Sequence, residues 1–418
     1  MAVFVPNPER ESVEELVEDL SRYIAGRYRD AEDALIREVA ERAIRDMALA
    51  SQLPEAPAGG GMTVAERRRQ NRILAELNGH RAKSLRELQA AAVRIVSDLR
   101  PREMAEYVIG IAAREGEAAA AAWLGFAERQ AQTVVPLTFL GSPVAISATT
   151  LTGSASQAVA MVALSLESRL EVLNQRLTRY PQDAYQRIMA LHSPNTLLGV
   201  TTSRIQQAQA VQRFLSEGIT GFVDRSDRRW TIGAYAEMAG RTTVNRAFND
   251  AGTWRMQQSG FNLVTVVRGL DSCRKCAAWA GKILSTDGSP AGPRSIPHAT
   301  GDTTVTVNVA ATVEEARAAG WNHPNCRCRL VAYSPGLTVP QDDTTYDEAA
   351  EKERARQRAL EREIRSAKRR EVSAMNDTDR ARAAADVRDA QVEMREFIRE
   401  TGRNRQSYRE QLGFADGR

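Results

Sequence analysis

The chain has 418 residues, enough for two or three domains with sizeable cores. Hydrophobic residues make up 43% and charged residues 26%, and a net charge of only +4 excludes a whole-molecule demand for a nucleic-acid partner, leaving room for a local basic patch. Four cysteines in a chain this long exclude a disulfide-scaffolded secreted fold, so a reducing cytoplasm is the expected folding compartment.

The opening "MAVFVPNPERESVEELVEDL" turns acidic and amphipathic at once, unlike a secretory signal. Abundant alanine and arginine, with only 6% aromatics, favour helix. From Glu11 to about Ala50 the spacing predicts a helix, with Leu16, Leu20, Tyr23 and Ile24 on one face. "SQLPEAPAGGGMT" breaks it as a loop, and helix resumes from Val64 until Pro101. A third helical run follows to Gln132, its repeated alanines suited to close packing. Residues 1–129 thus read as a bundle or an elongated helical region.

Between Arg129 and Glu167 there is no charged residue. Pro136, Gly141, Pro143 and Gly153 interrupt this stretch, whereas a spanning helix needs about 20 mostly apolar residues without such breaks. Residues 130–166 are therefore expected to be an apolar interface or linker segment, with a membrane role as the lesser alternative. Residues 167–225 read as a helical connector broken near Pro181 and resumed in "TTSRIQQAQAVQRFLSEGITGF".

Residues 226–336 change character. "DRRWTIGAYAEMAGRTTVNRAFNDAGTWRMQQSG" reads as one long helix with Trp230, Tyr235, Met238 and Ala239 near one face. "FNLVTVVRGL", "GKILSTDG", "DTTVTVNVA" and "CRLVAYS" read as short strands between Gly, Pro and Asp turns. Residues 343–418 read as a charged helical tail. Its narrow stripe of Leu360, Ile364, Met394, Phe397 and Ile398 suits a partner or an antiparallel hairpin. The predicted fold class is mainly α: an elongated N-terminal helical region, a small α+β Cys/His module and a charged helical tail.

All four cysteines fall in that small module. Cys273-x-x-Cys276 supplies two sulfurs, and Cys326-x-Cys328 supplies two more beside His323. Zinc takes about four thiolate or imidazole ligands in a closed structural site. A tentative structural zinc on Cys273, Cys276, Cys326 and Cys328 would fasten two distant chain segments, with Arg274, Lys275, Arg327 and Arg329 offsetting thiolate charge. Cys-x-Cys is less typical than a second Cys-x-x-Cys, so His323 with one of that pair is an alternative ligand set. Disulfides between the segments, or plain core cysteines, remain the other readings.

A Cys326–His323 nucleophilic pair, making a cysteine- or zinc-dependent hydrolase, lacks an evident orienting residue or general base. No phosphate-binding Gly-rich loop, HExxH or GxSxG is present. His80, His192 and His298 stand singly and read as ordinary histidines, so the chain is expected not to be an enzyme.

"WTIGAYAEMAGRT", "DSCRKCAAWAGKILSTDG" and "GWNHPNCRC", in that order, resemble the minor capsid protein 2 family of tailed bacteriophages, related to the Mu F-like head morphogenesis proteins. The resemblance runs from near Trp230 to Leu412 and includes the tail segments "ALEREIRSAKRRE" and "FIRETGRNRQSYREQLG". It implies a structural protein of the virion, in the inner head or portal region, made in the host cytoplasm and present in several copies. The implied partners are the portal protein, the major capsid or scaffold protein, and DNA during packaging or ejection. Some relatives carry an appended toxin or protease domain, which this helical tail does not resemble. Trp230, Tyr235 and Trp279 are expected in the module's core, and Arg241 in a buried or interface polar contact. A nucleic-acid-binding factor using "AERRRQNR" and the C-terminal helices is the alternative function.

Overall fold

A computed structural model describes residues 13–53, 62–131, 153–197, 219–223, 227, 229–268, 272–340, 346–374 and 376–412. Most of the sequence-predicted apolar segment 130–166, and most of the helix expected over 201–222, lie outside these residues.

Four long helices come first: α1 (Val13–Ala50), α2 (Val64–Ser97), α3 (Pro101–Ala131) and α4 (Gly153–Leu197). α2 opens on a capping box, in which the Glu66 backbone N–H donates to Thr63 Oγ1 and the Thr63 N–H donates to the Glu66 carboxylate. Pro101 starts α3, at the helix position where a missing N–H costs nothing. The expected break at Pro181 is not there: α4 runs through it. A mid-helix proline costs about 3 kcal/mol. Leu173 and Leu177 before it, and Tyr185 and Ile188 after it, are all buried and hold the helix together across the lost hydrogen bond.

The sequence expectation of one helix from about residue 225 also needs correcting. A short hairpin, β1 (Thr220–Val223) with β2 (Arg229–Thr231), precedes α5 (Ile232–Gln258). Thr231 accepts from the Ala234 N–H at 3.4 Å and marks the true helix start.

Next come β3 (Leu263–Val267), the single turn α6 (Arg274–Ala277), β4 (Ile283–Ser285), β5 (Gly292–Pro297), β6 (Thr304–Thr312), α7 (Val313–Ala318) and β7 (Arg329–Ala332). They form a five-stranded sheet of order β5-β6-β4-β3-β7, antiparallel except for the β4–β6 pair. β5 was not foreseen because "GPRSIP" carries Pro293 and Pro297, and proline is tolerated only on a sheet edge, where this strand lies. The tail is two helices, α8 (Glu348–Val372) and α9 (Asp377–Thr401), with Asn376 capping α9 through its side chain.

The chain divides into two compact units, residues 1–25, 101–170 and 236–354 in one and residues 26–100, 171–235 and 355–418 in the other. In the first unit the sheet packs around Val264, Val266, Leu284, Trp321 and Leu330, with Trp123 of α3 edge-on to Phe261. α3 and α5 approach so closely that a Cβ on Gly116 would sit 2.2 Å from the Phe248 carbonyl oxygen.

In the second unit Tyr28, Leu35, Leu88, Leu173 and Leu177 are fully buried. Asp33, with no exposed surface, meets Arg369 at 3.0 Å and Arg365 at 3.2 Å, tying α8 to α1. The expected tail stripe closes as a helical hairpin over Leu360, Ile364, Ala390 and Met394, with Phe397 and Ile398 alongside.

Candidate metal centre

The convergence of the two cysteine segments follows from strand pairing. β3 and β7 are antiparallel neighbours, and Val267 at the end of β3 faces Arg329 at the start of β7. The chain leaving β3 and the chain entering β7 therefore meet at one end of the sheet. Cys273 and Cys276 lie on the first, where Cys273 caps α6 and its carbonyl accepts from the Ala277 N–H at 2.9 Å. His323, Cys326 and Cys328 lie on the second.

Two overlapping groups result. The donor atoms of Cys273, Cys276 and His323 lie within 4.8 Å of one another, as do those of Cys276, Cys326 and Cys328. Cys276 belongs to both. Cys273 Sγ is 2.9 Å from His323 Nε2, and Cys276 Sγ is 3.4 Å from Cys326 Sγ. All four cysteines are free thiols. The 3.4 Å separation is far beyond a sulfur–sulfur bond of about 2.05 Å. It is close to the spacing of about 3.8 Å that tetrahedral thiolates adopt around zinc at about 2.3 Å.

The electrostatics fit a cation. The Cys326 thiol is pushed far above its ordinary range by the sulfur of Cys276, then by that of Cys328 and by burial. Burial also raises Cys273. These protons resist leaving unless a positive charge replaces them. The sulfur of Cys276 raises the pKa of His323 against the opposing effect of burial. The ring nitrogen Nδ1 sits 2.8 Å from the Pro324 carbonyl. That carbonyl can only accept, so Nδ1 is the donor there and Nε2 is the ring nitrogen that faces the sulfurs. The donor set of soft sulfurs with one imidazole suits zinc chemistry.

The loop carrying "HPNCRC" has an unusual backbone, with Asn322 at φ 52° and Asn325 at φ 72°. Asparagine tolerates this left-handed region better than most residues. α5 holds the loop from outside. The Asn325 N–H donates to Thr242 Oγ1 at 2.9 Å, and Arg241 donates to Asn325 Oδ1. Asn245 and Asn249, one and two turns further on, donate to the Cys328 carbonyl at 3.1 and 3.3 Å. Arg241 is buried, as foreseen, and also bonds Glu18 and Glu237 at 2.8 Å each.

Among the aromatic residues expected in this core, Trp279 packs against it half-buried. Trp230 and Tyr235 fall in the other unit, and the aromatic centre of the module is Trp321, 1% exposed. Sequence reasoning missed Asn245 and Asn249, whose sole signal is a four-residue spacing on a helix. Of the single histidines, His80 lies near the Arg42 carbonyl at 3.3 Å, His298 packs under Gly336, and the side chain of His192 is outside the described residues.

A mainly helical chain with a small sheet and a Cys/His cluster is the setting in which the comparison with known families falls. Residues 14–399 match phage minor capsid protein 2, and the chain belongs to that family. It is a structural protein of a phage virion and assembles with other virion proteins. No curated protein and no solved structure matches it. Among the described residues, no helix is long and apolar enough to cross a membrane.

Proposed function

We propose that the chain is a head-morphogenesis component that docks on the portal or the inner capsid wall during assembly in the host cytoplasm. It stays in the virion in several copies, and its sheet module serves as a rigid knob fastened by zinc. One observation carries this reading. The sulfurs of Cys276, Cys326 and Cys328 sit inside the hydrophobic core, 1%, 5% and 1% exposed, where they close the fold and offer no opening to a substrate. Cys273, Cys276 and Cys326 would hold the ion, with His323 as fourth ligand because its tautomer is fixed for the role, and Cys328 as the alternative. Bound there, zinc supplies a closed structural clamp, a contribution that small sheets with little apolar burial need.

Native mass spectrometry of the full chain purified without chelator tests the clamp. We expect one zinc per chain, lost in Cys326→Ser and in His323→Ala and kept in Cys328→Ser. A metal-free mass for the freshly purified reduced protein would remove the zinc. Retention in His323→Ala with loss in Cys328→Ser would return the site to four cysteines. Cross-linking of purified heads tests the docking: cross-links to portal or inner capsid protein support it, and cross-links to tail proteins alone sink it.

A further inference from the structure

The outward side of α2 carries a cluster of exposed arginines. Ile73, Leu77, Leu88 and Ala92 turn inwards and are buried. The opposite side presents Arg68, Arg72 and Arg86 among Ala75, Gly79 and Ala82, with Arg69 at its margin, all exposed. Several exposed arginines on other helices lean on a carboxylate one turn away: Arg37 on Glu41, Arg102 on Glu106, Arg179 on Asp183, each at 2.9 Å. On α2 the register denies such partners to Arg68, Arg69 and Arg86, while Arg72 has the exposed Glu76 four residues on. The positions four residues either side of Arg68, Arg69 and Arg86 hold Val64, Arg72, Ala65, Ile73, Ala82 and Ala90. Glu66, the one acid within reach of Arg69, is taken up by the capping box. Arg68 and Arg72 even form a like-charge pair one turn apart, an arrangement that costs a helix stability.

We propose that this side of α2, from Arg68 to Arg86, docks the phosphate backbone of nucleic acid without reading its sequence. Charge complementarity selects a polyanion. Between Arg68 and Arg86 the outward side has no aromatic or large aliphatic anchor of the kind protein interfaces depend on. Its small residues let a sugar-phosphate strand lie close while the arginines fork onto phosphate oxygens. The proposal goes beyond the structural reading above and stands or falls separately from the metal.

The test is fluorescence anisotropy of the full chain with a labelled random-sequence DNA duplex across a salt series. Neutralising about four phosphates gives a slope of log K against log salt of about −3.6, so affinity drops roughly a hundredfold between 50 and 200 mM salt. In Arg68→Gln/Arg69→Gln/Arg72→Gln the slope should fall to about −1, because three of those contacts are lost. The charge-keeping triple lysine variant should retain most of it. Arg37→Gln/Arg102→Gln/Arg179→Gln, which removes the same charge from paired arginines, should behave as wild type. Glutamine is nearly as good a helix former as arginine, and unchanged circular dichroism would confirm that α2 persists. Absence of binding at the lowest salt, an unaltered slope in the glutamine triple, or equal displacement of DNA by polyglutamate would each overturn the assignment.

Discussion

Asn325 concentrates the local constraints of the sulfur loop. Its backbone is left-handed, its N–H is held by Thr242, and its amide oxygen accepts from Arg241. Asn325→Ala adds about 1 kcal/mol of backbone strain and removes a charged hydrogen bond worth about 2 kcal/mol. Asn325→Gly keeps the turn and loses the bond alone. Urea denaturation should therefore rank wild type above Gly and Gly above Ala, and equal losses would show that the turn is unstrained. Arg241→Leu should be worse, at about 3–5 kcal/mol, since it leaves the buried Glu237 without its cation. The sequence expectation placed Arg241 in a buried or interface polar contact, and it is buried. The sequence could not show that the arginine grips a loop 84 residues later.

At the scale of elements, the crossing of α3 on α5 depends on two glycines. A Cβ at Gly252 would lie 3.0 Å from the Gly116 carbonyl oxygen, and one at Gly116 is tighter still. Gly116→Val should push the helices apart and cost about 3 kcal/mol, where a glycine-to-valine change on an open helix face costs nothing comparable. Gly79→Val, with no atom within 4 Å of its Cβ, is the matched control. Similar melting temperatures for the two variants would refute a tight crossing. Helix existence was legible because Leu, Ala, Arg and Glu recur with the helical period over long runs. Ends were less so. Pro181 suggested a break that buried neighbours override, and the three residues of β2 are too few to show alternation against the strong helical pattern that follows them.

For the whole molecule, the proposed zinc would link folding to acidity. Thiolate and imidazole ligands must be free of protons to bind zinc. A zinc clamp would therefore hold at neutral pH and be lost at falling pH as the ligands take up protons. Chelation at pH 7 should lower the melting temperature, and acidification should make the chelator redundant. Hydrogen exchange should rise in β3, β7 and the loops bearing Cys273 and Cys326 on metal removal, while the α8–α9 hairpin keeps its protection. Uniform exchange across the chain, or none, would contradict a local clamp. The spacing of the cysteine segments suggested one shared site, with a metal, disulfides and plain core packing left open. Their meeting place was not legible, because it depends on β3 and β7 pairing across more than sixty intervening residues.

The prolines of β5 have a consequence for a protein that assembles with others into a virion. β5 pairs with β6 along all six of its residues, so Pro293 and Pro297 occupy positions whose missing donors would otherwise face away from the sheet. A neighbouring copy arriving at that border finds no regular ladder to extend. Crowded chains can thus lie side by side without knitting into a fibre from that flank, and association is left to surfaces with better-defined geometry.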